Sequence, residues 1–221
     1  MLSDALTSQI VNLCAAVLLL LAFAMLAQRR TVALVDLFTA QGVALTVSTL
    51  VVALNTGHDH MYYSAALTFA LKVCALPWIL RRLIRRLDVQ WEAESRLNTT
   101  PTMIIGLLVV IFAFGLAEPI SALATTITRG TLGIALAIVL LSFLMMITRR
   151  KAISQVIGFL AMENGLFFAA SSATYGMPML IEFGIALDVL VAVFVLGVFF
   201  FQIREQFDSL DLQNFESLRE K

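Results

Sequence analysis

Long apolar runs separated by short polar breaks set the organisation of this chain. A hydrocarbon core about 30 Å thick needs ~20 mainly apolar residues at 1.5 Å rise each if a helix is to cross it. Runs of that length occur at 8–27, 31–54, 61–82, 102–121, 130–148, 152–174 and 179–202. Each is bounded by polar or helix-breaking residues and predicts a transmembrane helix, so the expected fold is an all-α polytopic membrane protein with about seven spans. The fourth run is the weakest, because Glu118 and Pro119 stand near its end and a polar, Thr-rich turn follows from Ser121 to Arg129. A six-helix alternative that demotes it would put both chain ends on one side.

The arginines favour seven. With seven spans, the loops at 28–30, 81–101 and 149–151 and the tail from 203 share a side. They carry Arg29, Arg30, Arg81, Arg82, Arg85, Arg86, Arg96, Arg149, Arg150, Lys151, Arg204, Arg219 and Lys221. Arg129 stands opposite them, and Lys72 lies inside a span. The positive-inside rule therefore places the N-terminus outside and the C-terminus in the cytoplasm. In the first run Asp4 precedes the apolar stretch and the arginines follow it, the reverse of a secretory signal. From Arg81 to Leu97, apolar Leu83, Ile84, Leu87 and Trp91 recur among arginines, which predicts a helix in the headgroup plane anchored by Trp91. Thr100 is the expected cap of the fourth span, with Pro101 at its first position. The tail from Gln202 is too short and polar to span.

Composition agrees with the pattern. Hydrophobic residues make up 60% and charged residues 14% of the 221, against roughly 45–50% and about 25% in soluble chains. A water-soluble fold is excluded, since a domain of this size cannot hide so much apolar surface. Net charge is zero, which leaves no basic field for nucleic acid. Cys14 and Cys74 both sit in apolar runs, whereas an iron–sulfur cluster takes four ligands and structural zinc usually four from Cys and His. His58 and His60 flank Asp59 without a further ligand cluster. Phosphate-loop, dinucleotide and nucleophile-elbow motifs are missing from the sequence, so no metal, cofactor or catalytic site of its own is expected.

The first and last three spans share weak similarities in matching order. Arg29-Arg30 opens the second span as Arg149-Arg150 opens the sixth; Gln41-Gly42 falls where Asn164-Gly165 falls; and Ala70-Leu71-Lys72-Val73 matches Ala186-Leu187-Asp188-Val189. A parallel duplication follows, with one three-helix unit over 1–84, an interfacial segment and connector helix over 85–129, a second unit over 130–202 and a tail over 203–221. Lys72 and Asp188 would then occupy equivalent depths with opposite charge.

Six ionisable residues stand inside the apolar runs: Asp36, Lys72, Glu118, Glu163, Glu182 and Asp188. A charge at the bilayer centre costs on the order of 2.5–3.5 kcal/mol on insertion scales, so each needs a partner, water or another protein. Asp36 and Glu182 lie near helix ends and reach the interface; Glu118 is similar in depth. Lys72, Glu163 and Asp188 are the deep ones. Lys72 precedes Pro77 by little more than a turn, and the proline deprives the Val73 carbonyl of its helical donor. Gln155 and Ala170 or Ser171 share the face of Glu163, a small and polar stripe turned from lipid. Two readings stay open: a structural ion pair of Lys72 with Glu163 or Asp188, or a proton relay, because shielding from water disfavours the charged form of any deep group and so eases proton transfer.

The residues Arg149-Arg150-Lys151-Ala152-Ile153, then Gly158-Phe159-Leu160-Ala161-Met162-Glu163-Asn164-Gly165, then Ile181-Glu182-Phe183-Gly184-Ile185-Ala186-Leu187-Asp188, resemble hydrogenase-4 component E. That family comprises membrane subunits of group 4 nickel-iron hydrogenase and formate hydrogenlyase-type complexes. Lys72 with Pro77 and the tail residues Leu210-Asp211-Leu212-Gln213-Asn214 are similar to it too, so the resemblance covers most of the chain. The last three spans also resemble the K subunit of complex I and the C subunit of multisubunit sodium/proton antiporters. There a basic pair precedes a helix with a buried glutamate, here Glu163; Asp188 or Glu182 would be the second carboxylate. The resemblance implies a non-redox subunit without metal or cofactor, in a bacterial or archaeal cytoplasmic membrane. Its expected partners are antiporter-like membrane subunits and, indirectly, a peripheral nickel-iron or related redox arm. Proton or sodium translocation would run through Glu163, Lys72, Asp188, Glu182, Glu118 and Asp36. Two other roles fit the residues: a subunit of a stand-alone cation/proton antiporter, or a structural spacer.

Overall fold

A computed structural model describes residues 4–56, 59–86, 98–123, 128–174, 184, 187 and 189–191. These residues form helices α1 (Asp4–Ala27), α2 (Thr31–Thr56), α3 (Asp59–Thr68), α4 (Leu76–Arg86), α5 (Thr99–Leu123), α6 (Thr128–Thr148) and α7 (Ala152–Thr174), with a π-helical segment Phe69–Ala75 joining α3 to α4. There is no strand among them. Six stretches are long and apolar enough to cross a membrane: Ala5–Ala27, Thr31–Asn55, Met61–Arg85, Thr99–Pro119, Thr131–Thr148 and Ala152–Ser171. They coincide with the first six predicted spans. The fourth stands as a full helix, with Pro119 accommodated inside α5. Most of the seventh predicted span, residues 87–97 with Trp91, and the tail lie outside the described residues.

Two boundaries differ from expectation for local reasons. α5 begins at Thr99 rather than after Thr100, and the carbonyl of Asn98 accepts from both the Thr102 amide (3.3 Å) and the Thr102 hydroxyl (2.8 Å). Pro101 thus sits in the first turn, where its missing N–H costs nothing. The third span continues into α4 up to Arg86, and Leu83 and Ile84 are buried in the bundle rather than spread on headgroups. On the outer side of α4, Arg82 stacks over Trp78 at 5.2 Å, an amphipathic pair suited to the membrane interface.

At the centre, α1 packs along α2 and α6, and α7 packs along α6 and α2. Apolar side chains fill the space between, among them Leu18, Leu34, Phe38, Leu45, Ile138, Leu160 and Phe168. The α3–π–α4 span covers α2, and α5 lies outside against α6 and α1. The contrast in cover is large: 61% of the most apolar window of α7 is buried, but 22% of that of α5, whose Ile104, Leu107, Leu108, Ile111 and Phe112 face outward. Gly165 lets α7 approach α6, since a Cβ there would lie 3.2 Å from the Val139 backbone nitrogen.

Arg29, Arg30, Arg81, Arg85, Arg149 and Arg150 share one end of the bundle, with Arg129 at the other end of α6. Arg149, just past α6 and only 2% exposed, donates from Nη2 to the carbonyls of Met25 (3.1 Å), Leu26 (3.0 Å) and Gln28, so one guanidinium closes the C-terminal end of α1. Those carbonyls have no amide partner within their own helix. Burial first, and the charge of Arg29 second, hold Arg149 below the usual arginine range, yet a guanidinium keeps its proton in proteins. Arg29 donates to Thr99 Oγ1 at the start of α5 (3.0 Å).

Candidate functional site

The site begins with Pro77. Without an N–H, the proline cannot hold the preceding turn in α-helical register. The chain responds by widening into the π-helical segment, where the Leu76 amide donates to the Leu71 carbonyl, five residues back. π-Turns of this kind recur at functional positions. Lys72 is the buried residue of the segment. Its backbone packs against α2 at Gly42, where a Cβ would lie 3.2 Å from both the Lys72 Cβ and the Lys72 carbonyl oxygen. A side chain at that position would push the π-turn away.

Lys72 Nζ lies 3.1 Å from Glu163 Oε1 and donates to Asn164 Oδ1 at 2.9 Å. The ammonium also stands 5.8 Å from the centroid of the Phe167 ring. Asn164 Nδ2 donates to Gln41 Oε1 at 3.5 Å, and Gln41 Nε2 donates to the Leu18 carbonyl at 3.4 Å. A polar chain thus runs from the third span through α7 and α2 to α1. All four side chains are buried: Lys72 is 1% exposed, Glu163 4%, and Asn164 and Gln41 0%. Such a pair is kept in place by its additional hydrogen bonds, because Coulomb attraction alone seldom offsets the desolvation of two ions. The last predicted span also reaches this cluster: a Cβ at Gly184 would meet Phe167 Cδ2 at 3.1 Å and Glu163 Oε1 at 4.0 Å.

Of the six candidates, Lys72 and Glu163 come together. Asp36 does not join them. It accepts from Arg81 Nη2 at 2.6 Å at the arginine end, with side chains 57% and 43% exposed. Glu118 lies exposed on α5. Glu182 and Asp188 fall outside the described residues; among the described residues Lys72 lies within ion-pair distance of Glu163. On α7 the buried polar stripe runs through Asn164 and Ser171, while Gln155 is exposed and donates to the Arg149 carbonyl at 3.0 Å. Asn164 and Gln41 were legible as markers of the repeat but not as members of the site. Their signal is chemical: two amides inside apolar spans, one of them adjacent to the buried glutamate.

Six apolar spans around a buried, cross-helix Lys–Glu pair define a polytopic membrane protein with a polar centre. No family model and no solved structure matches the chain. It is 33% identical over 204 residues to the uncharacterized protein Rv0085 of Mycobacterium tuberculosis, covering 91% of this chain and 93% of that one. It is 25% identical over 155 residues to hydrogenase-4 component E of Escherichia coli K12, covering 70% and 72%, and equally to that of Shigella flexneri. The chain is thus a distant relative of hydrogenase-4 component E.

Proposed function

We propose that this protein is a non-redox membrane subunit of a hydrogenase-4-like oxidoreductase complex in a bacterial or archaeal inner membrane, and that it helps move protons during electron transfer. The relatives named as hydrogenase-4 components support the complex. The observation that carries the proton role is the Lys72–Glu163 pair, 3.1 Å apart in the middle of the bundle. A proton leaving Lys72 Nζ for Glu163 Oε1 turns a charged pair into a neutral one, so one short transfer changes how strongly the site holds a further proton. Asn164 accepts from the lysine and is itself tied to Gln41, which keeps the lysine aimed while the charge changes. Asp188, Glu182 and Glu118 are proposed as further relay members beyond the pair. Asp36, held by Arg81 at the surface, fits an interfacial tie better than a relay. Antiporter-like membrane subunits and a peripheral nickel-iron arm are the partners this reading requires, and the last three spans are proposed as a K-subunit-like unit.

Glu163→Gln tests the reading, since it keeps shape and most hydrogen bonding but removes the proton site. In the assembled complex, proton pumping in vesicles is expected to fall to background while electron transfer or assembly persists. Normal pumping by an assembled Glu163→Gln complex would overturn the relay and leave a structural spacer.

A further inference from the structure

The polar cluster is not equally isolated from the two ends of the bundle. α2 runs away from the arginine end and the α3–π–α4 span runs back toward it, with Gly42 against Lys72 setting their register. From Lys72 toward the far end, Thr68 and Ser64 follow at steps of four residues on the same helical face, and both are buried at 2% exposure. On α2, Ser48 and Thr49 lie about two turns beyond Gln41 in the same direction, exposed by 1% and 0%. On α7, Ser171 stands about two turns beyond Glu163, 3% exposed.

Toward the arginine end the same faces are hydrocarbon. Below Lys72 come Leu76, Leu80 and Leu83; below Gln41 come Phe38 and Leu34; below Glu163 come Leu160 and Ile157, all buried. The next buried hydroxyl on α7, Ser154, lies past that layer.

Two details give the hydroxyl side places for water next to the pair, while Thr31 Oγ1 and Ser154 Oγ, likewise without a partner among the described residues, lie beyond the apolar layer. Thr49 donates its own proton to the Leu45 carbonyl (2.9 Å), which leaves its oxygen to accept. Ser64 Oγ is fully buried and has no hydrogen-bond partner among the described residues. A buried hydroxyl without a partner forfeits about 1–3 kcal/mol unless water supplies the bond.

We infer that Ser64, Thr68, Ser48 and Thr49 line a water-holding path from the end remote from the arginines to Lys72, its stretch from Ser64 to Lys72 about 12 Å long at 1.5 Å rise per residue. By the positive-inside rule that end faces the outside. The occupant is water carrying a proton: each water or hydroxyl accepts a hydrogen and passes on another, so the proton reaches or leaves the Lys72–Glu163 pair with no other atom displaced. The apolar layer under the pair seals it from the arginine side. This inference rests on the relay reading for its purpose, but not for its test.

The test is thiol accessibility in native membranes, in a Cys14→Ala, Cys74→Ala background, with a membrane-impermeant cationic methanethiosulfonate applied from either side. Ser64→Cys is expected to react from the far side at least about tenfold faster than Leu80→Cys from either side, because the thiolate that reacts is suppressed in dry apolar surroundings. Ser48→Cys, on the opposite wall, should behave as Ser64→Cys does and serves if the first variant fails to accumulate. Labelling no faster than that of Leu80→Cys, or only from the arginine side, would overturn the path. Labelling reads water and not pumping, so the two ideas separate: a labelled path with normal pumping in Glu163→Gln removes the relay alone, and an unlabelled path with pumping lost removes the path alone.

Discussion

One membrane span carries two cations that make ion pairs, and the pairs behave as opposites. Lys72 reaches Glu163 at 3.1 Å with side chains 1% and 5% exposed; Arg81, further along the same span, reaches Asp36 at 2.6 Å with side chains 43% and 57% exposed. The shorter contact is the weaker one. Exposed pairs lose in side-chain entropy and solvent screening most of what they gain, and contribute about 0–1 kcal/mol. A buried pair is costly to assemble but far costlier to break, because the survivor is an uncompensated charge. Depth, not distance, decides which of the two the fold depends on, and only the deep one has the isolation that proton transfer needs.

Four substitutions test that contrast, in falling order of effect. Lys72→Met leaves the Glu163 carboxylate buried without its counter-charge and should remove about 3–5 kcal/mol. The detergent-solubilised protein should melt far lower, and Lys72→Met combined with Glu163→Leu should recover most of the loss; a double variant as weak as the single one would contradict the pair. Arg149→Met comes next: it removes the Nη2 group from which three carbonyls accept and leaves them without that donor, and a loss of about 1.5–3 kcal/mol is expected, read as a lower melting midpoint. Gly42→Ala presses a methyl against the Lys72 carbonyl and should cost about 1–2 kcal/mol. If hydrogen exchange at residues 69–76 is unchanged in that variant, α2 does not hold the π-turn. Asp36→Asn should fall below about 1 kcal/mol, and added salt should erase the difference from wild type. A salt response of similar size in the Lys72→Met comparison would mean that water reaches both pairs alike.

Most of the architecture was legible because bilayer thickness translates directly into run length. The six described spans begin and end within a few residues of where the apolar runs do. The depth of Lys72 and Glu163 was legible for the same reason, since position within a run is position within the membrane. What could not be read was partnership. Nothing in one chain's spacing shows that Lys72 reaches Glu163, because that contact depends on how α7 is rotated against the third span. Pro77 announced a disturbed turn, but its form, a π-helical widening that turns Lys72 toward α7, is a tertiary outcome shaped by the close approach of Gly42. Ser64, Thr68 and Lys72 at four-residue steps were visible as a pattern, yet serines and threonines in apolar spans commonly bond their own helix. Thr39, Thr46 and Thr49 do so here. Arg149 was counted with the cytoplasmic charges, and its burial comes from the exposed carbonyls of α1 that only the folded bundle brings near.

That clamp imposes an order on biogenesis. The bonds from Arg149 to Met25 and Leu26 join residues 124 and 123 apart in the chain. As the ribosome delivers the helices in sequence, α1 enters the bilayer with its last carbonyls still hydrated at the arginine end. It stays in that state while four further spans are made. Closure comes when α6 arrives and its trailing arginine seats under α1, so the first helix to be inserted is among the last to be finished.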